Sequence, residues 1–291
     1  MLAAIAAEIQ GSVISFPTTA RVALRIRQAL GDPNCPASTA TRLIAAEPLL
    51  AARIVGVANS ALYPRSDRVI TDLSAAIARV GFAMARSLAT ALVLRQMANA
   101  PANLAHRAAA AQLWDHTTRM AALASVLARR VTGQNPETAL FAGLVHEVGG
   151  FYLISQAAEF PGILDGDLAH HWFHDACDED AAAGGGAACL RPSFESRIGG
   201  AVLESLAVPA PVVEAVETIW GGHLTLPPAT LGDTLLLADQ LVAVRSPLDP
   251  LREEDGHERA ILDLVFNDVL LSNMLKEAAG DVESLAAILR G

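Results

Sequence analysis

The chain has 291 residues, of which 52% are hydrophobic but only 4% aromatic, and a formal net charge of -10. That length supports one large domain or two interlocked ones, and an apolar fraction rich in Ala and Leu favours close-packed helices over sheets, which draw on β-branched and aromatic residues. No uncharged apolar run approaches the ~18 residues of a membrane span and the N-terminus lacks a basic leader region, so the expectation is a soluble, cytoplasmic chain with no membrane contact.

In chain order, residues 1–14 are expected to form a short helix ending near Gly11. Thr18 or Thr19 can cap the next helix, with apolar positions Val22, Leu24, Ile26 and Leu30, and Gly31-Asp32-Pro33-Asn34 closes it with turn chemistry. Ser38 or Thr39 opens a third helix through Ala46, and Pro48 begins a fourth running to about Ala58. After a loop around Pro64 and Arg65–Arg68, Thr71 caps a helix through Val80. Gly81 ends it, and another helix covers about Phe82 to Met97. Pro101 marks the expected boundary between subdomains 1–100 and 101–291. A long helix from about Leu104 to Val131 carries His116, and Asn135-Pro136-Glu137 starts the helix containing His146 and Glu147. Residues 161–192 are irregular, with acidic groups, the glycines of Ala181–Ala188 and no phosphate-loop Gly-Lys. Helices resume at about Phe194–Leu206, Ala210–Trp220, Thr230–Val244, Glu258–Lys276 and Asp281–Leu289. No alternating pattern long enough for a sheet occurs, so the fold class is all-α.

Charge is unevenly spread. Residues 1–100 hold ten arginines against five acids (Glu8, Asp32, Glu47, Asp67, Asp72), leaving 11 of the 21 basic and 26 of the 31 acidic residues to the remainder. Either the basic part packs on the acidic part, or it meets an anionic ligand or partner. A GC-rich coding background is a simpler source of the arginines, since Lys276 is the sole lysine. Cys35, Cys177 and Cys189 lack metal-type spacing and read as reduced thiols.

The stretch Gly143–Gly150 is the most informative. Leu140, Phe141, Leu144, Val145 and Val148 recur at helical spacing around the doublet His146-Glu147, and isolated charge in such a setting costs several kcal/mol unless it is paired or bound to metal. Other separated motifs are Phe16-Pro17, Glu47-Pro48 through Arg53, Ala58-Asn59-Ser60-Ala61, Leu73 through Gly81, and Leu113-Trp114-Asp115-His116. Together they cover roughly residues 12 to 245. The sequence resembles the HD superfamily, named for a His-Asp metal-binding doublet at a helix end, and more closely its HDOD branch, the HD-related output domains of bacterial signalling proteins. Pro48, Asn59, Ser60, Gly81 and Gly149 fall on motif positions.

The resemblance implies an N-terminal helical subdomain packed on an HD-like multi-helix bundle. Its ligand set falls on His116, the doublet His146 and Glu147, and Asp239 in Leu-Ala-Asp-Gln-Leu. Glu147 replaces an aspartate and is longer by one carbon–carbon bond, ~1.5 Å, against a tolerance of about 0.5 Å for productive metal geometry. Further histidines of binuclear members are replaced by Glu195 and by Ile219-Trp220. The His-Asp-x-Gly-Lys and Gly-Tyr-Pro motifs of cyclic-dinucleotide hydrolases are missing, with Gly150 at the lysine position. The expected site is therefore degenerate: no catalytic residue, no required metal or cofactor, and a hydrogen-bonded cluster that could hold at most a single divalent ion. Such a chain would act as a non-catalytic output or interaction module for signalling proteins encoded as separate chains, with a possible anionic small ligand between subdomains. The alternative is a divergent metal-dependent phosphohydrolase acting on a nucleotide or other phosphate ester through the same four residues.

Three weaker features of the sequence point elsewhere. His170 and His174 are four apart and could chelate an ion with Asp175 or Asp178, although a solvated surface explains them better. The helices across residues 38–58 look superficially like a helix-turn-helix whose Arg42 and Arg53 would have to reach phosphates, but nucleic-acid binding is not the expectation. The isolated His106, His223 and His257 read as surface or capping residues.

Overall fold

A computed structural model describes residues 20–63, 69–98, 104–158, 194–221, 224–225, 227–248 and 268–290. Within them the chain is all-α, with no strand. The N-terminal helix, the Thr18/Thr19 cap, His170, His174, Cys177, Cys189, His223, His257 and the 161–192 connection lie outside the described residues.

The helices are α1 (Arg21–Ala29), α2 (Ala37–Ala45), α3 (Pro48–Ala58), α4 (Leu73–Ala98), α5 (Leu104–Leu127), α6 (Pro136–Val145), α7 (Val148–Ser155), α8 (Phe194–Ser205), α9 (Ala210–Gly221), α10 (Leu231–Leu241) and α11 (Asp268–Arg290). Every residue of α6 from Ala139 to Val145 and of α7 from Val148 to Ile154 is buried. Helices apolar on all sides belong at the centre of a bundle, and that is where these lie: α6 packs on α4, α5, α9 and α10, and α7 on α4, α5 and α8. One apolar core runs from Ala20 to Leu289 through both parts of the chain. The C-terminal helix α11 lies along α5 and reaches α3, where a side chain at Gly56 would meet Ile288 at 2.8 Å.

Local chemistry accounts for several boundaries. Asn135 accepts hydrogen bonds from the backbone of Glu137 and Thr138, with Pro136 in the first turn. Thr230 and Asp233 form a reciprocal capping box on α10. Gly81 breaks α4 with φ 77°, a conformation that strains any side chain bearing a Cβ.

Several expectations are corrected. Asp72, not Thr71, caps α4, accepting from the backbone of Ser74 and Ala75. Helix α2 starts at Ala37 without a side-chain cap. The long helix keeps α geometry only to Leu127 and closes in a π turn, Ala128–Thr132. The expected break before Asp281 does not occur: α11 runs continuously through Gly280, since one glycine lowers helix propensity by only ~1 kcal/mol and tertiary packing outweighs it. His106 is buried, not superficial. Residues 73–97 and 136–155 are on average long and apolar enough to cross a membrane, although charged residues interrupt both, and 67% and 83% of their most apolar windows are buried inside the protein, so the core accounts for that apolarity.

Candidate functional site

His116 projects from the middle of α5. The doublet does not lie within a helix: α6 ends at Val145, His146 caps it, and Glu147 takes a non-helical conformation (φ -94°, ψ 21°) from which α7 starts. The break turns both side chains toward α5, which an unbroken helix could not do for adjacent residues about 100° apart around its axis. Asp239 comes from the last turn of α10. The fold thus brings together all four residues implied by the resemblance, from positions spread between 116 and 239.

The Nε2 atoms of His116 and His146 are 3.1 Å apart. His116 Nε2 is 3.9 Å from Glu147 Oε1 and 3.6 Å from Asp239 Oδ1. His116 is 1% exposed, His146 4%, Glu147 7% and Asp239 8%. Potential ligand atoms of His116, His146 and Glu147 all fall within 4.8 Å of one another.

The tautomers follow from the backbone. His116 Nδ1 lies 2.8 Å from the carbonyl of Val244, and His146 Nδ1 lies 2.7 Å from that of Gly143. A carbonyl only accepts, so each Nδ1 donates its hydrogen. In neutral rings both Nε2 atoms then present lone pairs, and these point at each other across 3.1 Å. A shared proton or a divalent cation resolves that repulsion, with Glu147 and Asp239 supplying negative charge. Imidazoles whose far nitrogen is fixed by a backbone carbonyl are also the usual form of metal-ligating histidines. The donor set therefore fits one hard or borderline divalent ion, which His116, His146 and Glu147 would hold, with Asp239 beside them.

The surroundings are closed. A Cβ at Gly143 would sit 2.5 Å from the Cα of Ala121, so α6 and α5 cross in backbone contact. Gly149 does the same job for α7 and α8, its would-be Cβ 3.1 Å from the nitrogen of Gly199. At Gly150, which falls on the lysine position of the His-Asp-x-Gly-Lys motif, a side chain would collide with Leu248 at 2.4 Å and crowd Glu147 Oε2 at 3.1 Å. Trp220, in place of a histidine, covers Gly199, with indole atoms 2.6 Å and 2.9 Å from a Cβ built there. Past α10 the chain returns across the cluster: Val244 receives His116, Arg245 accepts from Gln112, and Leu248 packs beside Gly150. A cavity of about 520 Å³ opens elsewhere, between Asn135, Glu214, Thr218 and Thr230, and includes none of the four residues.

The other motif residues build scaffold. Pro48 starts α3. The Asn59 side chain donates to the carbonyls of Val55 and Ile70 and accepts from the nitrogen of Ile70, closing the loop after α3. Ser60 donates to the carbonyl of Val57. Arg53 is the residue the sequence reading missed. It is only 2% exposed, so it cannot reach the phosphates of a duplex. Its signal was present: it shares the apolar face of α3 with Leu50, Ile54 and Val57.

Comparison with known proteins agrees with this architecture. A structure from Shewanella amazonensis, provisionally assigned as a metal-dependent phosphohydrolase, superposes with a TM-score of 0.70 at 21% identity, over 99% of this chain and 97% of that one. An HDOD domain protein of unknown function from Geobacter sulfurreducens gives 0.54 at 20% identity, over 98% and 96%. A provisionally assigned signal transduction protein from Marinobacter aquaeolei gives 0.56 at 19% identity, over 96% of this chain but 60% of that one. At these identities the likeness is one of fold. No protein of curated function matches. The HDOD domain model matches residues 16–170, more than half of the sequence, and the chain belongs to the HDOD family.

Proposed function

We propose that this chain is a cytoplasmic bacterial signal-transduction output module. It would work by contact with signalling proteins on separate chains, through a basic subdomain 1–100 and an HD-like subdomain 101–291, and catalyse no reaction. The observation that carries this reading is the closure of the HD cluster. Its four side chains are 8% exposed or less, Leu248 packs beside Gly150, and Trp220 covers Gly199 where binuclear enzymes would place further ligands. A phosphate ester needs an open position beside the metal and an attacking water, and burial of the four side chains among the described residues supports a site without either. In this reading the cluster ties α5, the α6–α7 break and α10 into one arrangement that a partner can read.

The converged Nε2 atoms favour a second reading, a divergent metal-dependent phosphohydrolase. A bound divalent ion would supply Lewis acidity and an activated water, with His116, His146 and Glu147 as its ligands and Asp239 beside them. One experiment separates the two. Protein purified without chelator or metal-affinity steps is assayed for metal and for phosphomonoesterase and phosphodiesterase turnover with added Mn²⁺, Mg²⁺ or Zn²⁺, beside His146→Ala. The output-module reading expects no turnover in either protein, whatever metal is bound. Turnover in the native chain that vanishes in the variant overturns it and establishes the hydrolase.

A further inference from the structure

A second buried polar cluster lies on the same helix as His116 but is built from the opposite chemistry. Arg53 of α3 places its guanidinium carbon 5.7 Å from the ring centre of Trp114 in α5, and Arg95 of α4 places its own 5.9 Å from the same ring. Arg53 is 2% exposed and Trp114 7%. Among the described residues, none of Nε, Nη1 and Nη2 of Arg53 has a hydrogen-bond partner, and neither does Nε1 of Trp114. Every one of these is a donor, and a guanidinium and an indole nitrogen accept nothing.

The neighbouring carboxylates do not answer them. Asp115, next to Trp114, is engaged by Arg119 and Arg290. Glu47 acts on Arg53 only through space, and its attraction is outweighed: burial, then repulsion from Arg95, pushes the Arg53 guanidinium down to about 10, which still leaves it charged at neutral pH. The indole face offsets only part of what a guanidinium loses on leaving water. A buried cation and a buried N–H, beside a second cation and without an acceptor, are what remains of a site when its anion is removed.

We propose that Arg53, Trp114 and Arg95 form the binding site for the oxyanion group, phosphate or carboxylate, of a small ligand at the seam where α3 and α4 meet α5. Arg53 is the principal contact, able to take two oxygens with its fork of donors. Trp114 Nε1 adds a directional donor, and Arg95, partly exposed, supplies long-range attraction at the entrance. The site is separate from the HD cluster and does not depend on metal there. Because Trp114 precedes His116 by two residues and stacks edge-on against Phe151 of α7, with ring centres 5.9 Å apart, occupancy would press on α7, the helix that starts just after the doublet.

The test uses the full chain in EDTA, with ionic strength held constant by chloride. Inorganic phosphate and malonate are titrated separately while thermal unfolding is followed in the native chain, Arg53→Leu and Trp114→Phe. Reading each anion against Arg53→Leu removes the general stabilisation that excluded salts give any protein. The native chain is expected to gain several degrees more than Arg53→Leu from at least one anion, with Trp114→Phe in between and its apparent affinity at least threefold weaker. A gain confined to phosphate assigns a phosphorylated ligand, and one confined to malonate a carboxylate. Equal responses in all three proteins, or no response to either anion, overturn the proposal. Should Arg53→Leu not fold, Trp114→Phe decides alone: an undiminished response counts against the site.

Discussion

The two buried polar clusters on α5 stand two residues apart in sequence and follow opposite rules. Around His116 groups of both signs converge: imidazoles donate to the carbonyls of Val244 and Gly143, and two carboxylates lie within 3.9 Å of His116 Nε2. Around Trp114 the donors of Arg53 and of the indole itself find no acceptor among the described residues, while Arg95 donates to the carbonyl of Arg290. The first cluster can be completed by a proton or a single cation and serves as a joint between helices. The second lacks an acceptor for Arg53 and Trp114 among the described residues, and an anion would complete it. Burial alone therefore says little about a polar group's role; the balance of donors and acceptors around it says more.

If the contrast holds, the two clusters respond to mutation with opposite signs. The largest loss is expected for His116→Ala, which removes a buried partner of His146, Glu147 and Asp239 and leaves a cavity between helices: about 3–5 kcal/mol by urea unfolding. A loss under 1 kcal/mol would mean the cluster does not join the helices. Gly143→Ala comes next, at about 2–3 kcal/mol, because its Cβ would meet the Ala121 backbone and shift the carbonyl that orients His146.

Asp233→Asn provides a reference from a buried carboxylate whose partners are complete. Burial alone would raise its pKa, but hydrogen bonds from Thr225 and Thr230 outweigh that and hold the carboxyl down at about 2. A carboxyl that titrates lower when folded contributes its full stability above the ordinary value of 3.8 and loses it as pH falls toward about 2. The variant is expected to cost about 1–2 kcal/mol at neutral pH. The gap from the native chain should narrow in unfolding measurements between about pH 4 and pH 2. Arg53→Leu, without added anion, should change stability least, within about 1 kcal/mol, and in the favourable direction if anything, because it removes an unanswered buried charge. A large loss there would show that Arg53 has structural partners and would erase the contrast.

What could be read from the sequence was local or strongly patterned. The helices, the break at Gly81, the caps at Asn135 and Thr230, and the apolar setting of His146-Glu147 each depend on residues within a turn or two of one another, where spacing and backbone preference suffice. His116 and Asp239 could be attached to the doublet only through a family resemblance, because no local property of α5 or α10 says that they meet. Tertiary structure alone decided that the doublet occupies a break between helices and that α11 runs through Gly280 under the pull of its packing on α5 and α3. It also decided the fate of Arg53. On an isolated helix that residue is one more charge near an apolar face. Packed between Trp114 and Arg95, it becomes a buried cation, because whether a charge has a counterpart depends on helices that are remote in sequence.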